Sequence, residues 1–354
     1  MRKLPMRFAA CGAALLVALC PLAAAADAAS DQAGTAAYLD TVRLEPARLA
    51  AFIAAMPKGA DLHNHATGAV YAEDYLAWAR QDDGCYDPAT LALAPKPCPP
   101  SMRPLTQGIA EDPNLAKRVV EALSMADFWP TSANAGHDHF FGAFGLFGAI
   151  AGTHYSDVLA AATQDAAGSR ARVLELMVSA GSADVNTLAS QLAPVFSADD
   201  LAADSALLDR TGFAHAVEAA REEMRVMEAG RRGAMHCDVA GVRPGCDVDV
   251  HYLLQITRIA PPAHVFAQAR VAFALAADPA THVVGINLVA PEDDPVAIRD
   301  YDLHMRIVRF LHAQYPSVHI TLHAGELTPA IAPAAALRDH IHEAVEVAGA
   351  ERIG

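Results

Sequence analysis

Positive charge is scarce in this chain. Its 354 residues carry 26 Lys and Arg against 41 Asp and Glu, a formal net charge of −15. A balance of that sign argues against nucleic acid or an anionic membrane as the main partner. Closely spaced cysteines are also missing. The six Cys include no CxxC pair, which weakens a structural zinc site as their role. The one long apolar stretch, Phe8 to Leu22, is short for a spanning helix, which needs about 20 such residues, and no stop-transfer flank follows it. Short internal repeats and low-complexity tracts are absent beyond the Ala-rich start.

What is present at the N-terminus reads as an address. Arg2, Lys3 and Arg7 precede the apolar stretch, and Ala24-Ala25-Ala26 offers the small residues that signal peptidase prefers. Residues 1–26 are therefore expected to be a signal peptide, cut after Ala26 or at Ala28 or Ala29. Cleavage removes three basic residues and no acidic one, taking the charge from −15 to −18. The protein is expected to be exported, to a periplasm or the extracellular space, with no membrane association after cleavage. Cys85, Cys98, Cys237 and Cys246 then remain. An even number in an exported protein suggests disulfides. Cys85–Cys98 and Cys237–Cys246 are the simplest of the three pairings. The remaining length can bury a large core, and one large α/β domain is expected rather than two.

Apolar periodicity orders the rest. Residues 27–55 read as a polar start followed by a helix that Pro57 ends, an N-terminal helical extension. Strands are expected over 59–65, 172–179, 248–259, 282–289 and 318–323, with another opening at Arg352-Ile353. Between them lie helical stretches at 71–80, most of 112–165 with a break around 129–136, 197–229, 262–277, 296–314 and 333–348. Residues 82–106, rich in Pro and holding two Cys, read as an inserted loop. Strand–helix alternation with buried strands implies a parallel sheet with helical crossovers.

Two segments carry chemistry. Met56-Pro57-Lys58-Gly59-Ala60-Asp61-Leu62-His63-Asn64-His65 ends an apolar strand. Positions i and i+2 of a strand share a face, so His63 and His65 can aim two imidazoles at one point, as a zinc ion requires. HxH recurs at His137-Asp138-His139 and His340-Ile341-His342. The last pair sits in a helix, where i and i+2 diverge, and reads as solvated or packing histidine. His137 and His139 precede Phe140-Phe141 and either line a pocket or open an apolar helix. The second segment, His319-Ile320-Thr321-Leu322-His323-Ala324-Gly325-Glu326, places a third imidazole at a strand end with a carboxylate three residues on. A metal lowers the pKa of bound water and a carboxyl group shuttles protons. Glu326 also suits the N-terminal end of a helix dipole.

Met56-Pro57-Lys58 with Leu62-His63-x-His65, and His323-Ala324-Gly325-Glu326 later in the chain, resemble adenosine deaminases of the metal-dependent amidohydrolase superfamily. Leu174-Glu175-Leu176 is similar to the family's second strand. Val283-Val284-Gly285-Ile286-Asn287-Leu288 with Glu292 is similar to its fourth, and Arg352-Ile353-Gly354 to the start of its Arg-Ile-Gly-His-Gly motif. The N-terminal signal and the Cys-bearing insertion resemble the secreted, growth-factor-like branch. The resemblance spans roughly residues 45–354. It implies a (β/α)₈ TIM-type barrel over 56–354, with the site at the C-terminal ends of the strands. It further implies one Zn²⁺ per chain on His63, His65 and His323, with zinc-activated hydroxide attacking C6 of adenosine. Glu326 would protonate the purine, and inosine and ammonia would leave. The expected partner is a small purine nucleoside, and a homodimer is compatible with the family.

The chain departs from the family pattern at three positions. Ala290, followed by Pro291, stands where a Gly amide meets the purine. Thr67 replaces an Asp associated with the ribose 5′-hydroxyl. Asn287 replaces another Asp. Ala290, Thr67 and His137 are carried as substrate-binding candidates. Only about five barrel strands precede Gly354, with the sixth just begun, and the family's next His and last Asp ligand fall beyond it. The sequence therefore reads as a fragment that is inactive alone. The alternatives are another amino-purine deaminase or amidohydrolase, or a purine- or receptor-binding protein without catalysis.

Overall fold

A computed structural model describes residues 20–241 and 245–354. The chain divides into two units, residues 1–57 and 58–354. In the first, helix Cys20–Val42 is followed by helix Pro46–Ala55, which carries proline in its first turn. The stretch from 27 to 42, expected as a polar start, is helical. Alanine, the strongest helix former, is frequent enough there to outweigh the scattered Asp, Ser and Thr. Most of the expected signal segment falls on residues 1–19, outside the described residues.

The second unit is built on a six-stranded parallel sheet. Its strands are β1 (Gly59–His65), β2 (Ala171–Val178), β3 (Asp249–Thr257), β4 (Val283–Val289), β5 (His319–Leu322) and β6 (Arg352–Ile353). Spatial order follows chain order, and every neighbouring pair in this sheet is parallel. Every crossover therefore contains helix, as parallel pairing demands. Leu176, Met177 and Val178 of β2 are buried in succession, as are Tyr252, Leu253 and Leu254 of β3. Strands buried on consecutive residues have both faces covered. The sheet curls on itself. The Arg352 guanidinium on β6 donates to the Leu62 carbonyl of β1 at 2.8 Å and to the Glu175 carboxylate of β2. An α/β fold with a curled, six-stranded parallel sheet results, the form expected of part of a TIM-type barrel.

The insertion at 82–106 is more ordered than a loop. Cys85–Tyr86 pairs antiparallel with Leu93–Ala94 on one side and Arg103–Pro104 on the other, and a Cys85–Cys98 disulfide closes it. A second disulfide joins Cys237 to Cys246. Helix Ser182–Leu192 was not anticipated. Its Val185, Leu188, Ala189 and Leu192 are all buried, a helical stripe masked by Ser, Asn and Thr of weak helix propensity. Among the described residues, no helix is long and apolar enough to cross a membrane.

Candidate metal centre and its flanking cavity

The C-terminal ends of β1 and β5 bring three histidines together. His63 and His65 finish β1, and His323 follows the last residue of β5. One ligand atom from each lies within 4.8 Å of the others. The ring centroids are 5.5 Å apart for His63–His65, 4.5 Å for His63–His323 and 5.0 Å for His65–His323. All three pKa values are lowered. His323, driven chiefly by burial and then by His65 and His63, falls to about 3. His65 is lowered by burial and by His63, against a bond to Gln255. Burial and Arg352 lower His63, against Asp61. Each imidazole is therefore neutral at pH 7 and carries one lone pair.

The hydrogen bonds decide where two of those lone pairs point. His323 Nδ1 faces two acceptors, Asn287 Oδ1 at 2.7 Å and the Leu288 carbonyl at 3.0 Å, so Nδ1 carries the proton. The orientation of Asn287 is fixed in turn, since its Nδ2 donates to Thr321 Oγ1 and its Oδ1 accepts the His323 amide. On the other ring, His65 Nδ1 faces Gln255 Oε1 at 3.4 Å. With both Nδ1 atoms serving as donors, the two Nε2 atoms are bare lone pairs, and they face each other at 3.1 Å. Such a contact repels unless a cation lies between. Two nitrogens each 2.0–2.1 Å from a tetrahedral zinc would sit roughly 3.3 Å apart. The third ring adds His63 Nδ1, buried with no hydrogen-bond partner. Three neutral imidazoles in this state are a donor set for Zn, Cu, Fe or Ni, and the residues fit a metal. Asn287, where the resemblance expects an Asp, supplies the outer-shell acceptor that such a ligand needs.

Glu326 approaches the cluster through Arg258, a residue that the sequence reading did not single out. Arg258 follows β3 and its side chain is 1 % exposed. The guanidinium donates to the Ala290 carbonyl at 2.8 Å and the His323 carbonyl at 3.1 Å, and lies 3.6 Å from Glu326 Oε2. A strand-end Arg in an apolar run was the available signal. The Glu326 carboxyl is half-exposed; partial burial raises its pKa, Arg258 opposes and Glu292 adds to the rise. Its backbone is anchored from below. Glu292 is fully buried and accepts the amides of Gly325 and Glu326, at 3.1 and 2.8 Å, and His340 Nδ1 at 2.7 Å. Burial alone would raise Glu292, but His340 and the two amides together with Arg258 hold it below the usual carboxylate range. Of the helical pair expected to be solvated or packing, His340 is buried and bonded while His342 is exposed.

The remaining candidates, Ala290, Thr67 and His137, lie in different surroundings. Ala290 adopts φ +84°, the left-handed region that costs a residue with a Cβ and favours Gly. Thr67 lines a cavity of about 500 Å³ with Tyr155, Ser156, Ser179, Ser182 and Glu223. Gln255, the partner of His65, lines it too, so cavity and cluster share a wall. None of the described lining residues is Lys or Arg. His137 is committed elsewhere. Its Nδ1 meets Asp138 and its Nε2 meets Asp293, both at 2.9 Å. Asp138 raises its pKa most, burial opposes, and Asp293 adds. This imidazole ties the first turn of helix Ala135–Thr153 to the segment after β4 and offers a substrate no free nitrogen. A larger cavity of about 590 Å³ runs along helix Phe213–Ala234 to His282, away from the cluster. Its Arg221, Arg225 and Arg232 are paired with acids.

No family model matches this chain, and no curated protein does. Solved structures do. The adenine deaminase of Arthrobacter aurescens is 16% identical, with 84% of this chain and 64% of that one covered and a TM-score of 0.45. Arabidopsis ADAL, solved with IMP, is 18% identical over 86% of this chain and 65% of that one, with a TM-score of 0.49. Arabidopsis N6-mAMP deaminase is 18% identical over 86% and 66%, with a TM-score of 0.46. The chain thus spans just under two thirds of the length of each.

Proposed function

We propose that the protein is an exported, zinc-dependent deaminase that converts adenosine or 2′-deoxyadenosine to the corresponding inosine and ammonia. The observation that carries this reading is the pair of bare Nε2 atoms of His65 and His323, 3.1 Å apart, with Glu326 tethered to His323 through Arg258. His63, His65 and His323 would hold one zinc, which supplies a Lewis acid and a water of lowered pKa. Every other part of the chemistry falls to the chain itself. Hydrolysis forms a C6–O bond, breaks the C6–N6 bond and releases ammonia. Glu326, with its raised pKa, holds the proton that the purine N1 takes as C6 becomes electrophilic. Arg258 and Glu292 fix where that carboxyl sits.

The cavity supports a nucleoside over a nucleotide. Hydroxyls of Thr67, Tyr155, Ser156, Ser179 and Ser182 and the Glu223 carboxylate suit an uncharged, polyhydroxylated ribose. A phosphate would meet a carboxylate and no cation. Thr67 in place of a carboxylate favours a second reading, an amino-purine with a different substituent. Export, the secreted branch of the resemblance and the absence of a membrane role after cleavage belong to the same proposal.

The test is turnover. Purified full-length protein, with any residues that follow Gly354, should convert adenosine to inosine, followed by ultraviolet absorbance, and should act on AMP far more slowly. Chelation should stop the reaction and added zinc restore it. Zinc-replete full-length protein that leaves adenosine, deoxyadenosine and other amino-purines unchanged would end the enzymatic reading.

A further inference from the structure

The segment that carries Glu326 is held in an uncommon way. Gly325 adopts φ +83°, and a Cβ there would lie 2.5 Å from Ile341 Cδ1. The chain therefore turns sharply between His323 and Glu326, and both amides after the turn end on the same buried carboxylate, Glu292. A carboxylate rotates about its last bond unless its oxygens are engaged. Glu292 Oε1 is engaged twice, by Gly325 and by His340 Nδ1 at 2.7 Å, while Oε2 takes the Glu326 amide.

His340 is itself locked. Its ring lies flat on Tyr301, with centroids 3.5 Å apart and planes 2° from parallel. The Tyr301 hydroxyl donates to the His340 carbonyl at 2.9 Å. Both residues stand on outer helices, Ala334–Glu346 and Tyr301–Gln314. A chain of contacts thus runs from the helical shell, through Tyr301, His340 and Glu292, to the backbone of Glu326. None of these three is part of the histidine cluster.

We propose that His340 is a positioning residue: by fixing the Glu292 carboxylate, it fixes the Gly325–Glu326 turn and hence the place of the Glu326 carboxyl. The catalytic consequence rests on the deaminase reading; the structural consequence does not. Misplacing a reacting group by about 1 Å can cost on the order of 10²-fold in rate.

Two variants separate the donor from the stack. His340→Phe keeps a flat ring against Tyr301 and removes the hydrogen bond. His340→Asn keeps an N–H near the Nδ1 position and removes the ring. In His340→Phe we expect amide hydrogen exchange to quicken selectively over residues 323–328, with zinc content and KM unchanged and kcat lowered roughly 10–100-fold. His340→Asn should recover most of both effects, which a loss of mere packing would not allow. If His340→Phe does not fold, Glu292→Gln takes its place: it has the same shape but presents an NH₂ to one of its donors, and the same selective exchange is expected. Unchanged exchange at 323–328 in the folded variant, or an Asn variant no better than Phe, overturns the proposal. If the wild type deaminates nothing, the functional reading fails, and the exchange data still decide the role of His340.

Discussion

Two buried polar clusters in this molecule are built on opposite principles. Around Glu228, every charge meets its complement. Arg231 binds Glu228 through two nitrogens, at 2.6 and 2.9 Å, and the Tyr252 hydroxyl donates to the same carboxylate at 2.7 Å. At the ends of β1 and β5, by contrast, like meets like. Two lone pairs oppose each other at 3.1 Å, and His63 Nδ1 is buried without a partner. Nearby, Ala290 occupies a glycine conformation. The first cluster holds the fold together. The second is a place where the fold accepts local cost, and such costs concentrate at functional sites. The difference assigns the second cluster a ligand and the first none.

The two clusters should respond to substitution in opposite ways. Glu326→Gln should lower turnover by roughly 10²–10⁴-fold, since Gln cannot pass a proton, while zinc content and melting temperature stay at wild-type values. Loss of zinc in that variant would move Glu326 from proton transfer to metal binding. Arg231→Met should do the reverse. It leaves the partly buried Glu228 without its cation, at a cost of roughly 2–4 kcal/mol in a denaturant titration after allowing for solvent. Turnover per folded molecule should not change; a matching loss of activity would join the two clusters.

The third prediction concerns pH. Asp138 and Asp293 raise the pKa of His137 in the folded protein, so folding is favoured by the imidazolium. That contribution is fully present below the unfolded pKa of about 6.5 and is lost as pH rises through the raised folded value. The melting temperature of wild type should therefore exceed that of His137→Gln in mild acid, and the gap should close in alkali. A gap that widened with pH would reverse the sign. The smallest effect is at Ala290. Relieving its left-handed backbone by Ala290→Gly should stabilise the protein by about 1 kcal/mol, read as a shift in denaturant midpoint; destabilisation would remove strain from the account.

Much of the fold was legible because β2 and β4 each hold a run of consecutive buried residues, 176–178 and 285–288, and their apolar runs are bounded by turns. The three histidines were legible because strand ends place i and i+2 side chains together and because the Gly after His323 marks a turn. Helix Ser182–Leu192 escaped because its apolar stripe is interrupted by residues that favour turns. Arg258 escaped altogether, and Glu292 and His340 were read only as a strand-four match and a solvated or packing histidine, for a different reason. Arg258 follows an apolar strand, Glu292 stands in the acidic loop after β4 and His340 lies in a helix, and only the fold brings them together under Glu326. Pairing over that distance leaves no periodicity in the sequence. His137 shows the converse: a motif that invited a ligand role is satisfied by two aspartates, one of them 156 residues away.

A metal count tests whether the three histidines hold a zinc. Purified wild-type protein and His323→Ala, both dialysed against trace zinc, should be assayed by inductively coupled plasma mass spectrometry. One zinc per wild-type chain and almost none in the variant are expected, with a fold unchanged by circular dichroism. A wild type without bound transition metal, or a His323→Ala variant that keeps its zinc, would contradict that assignment.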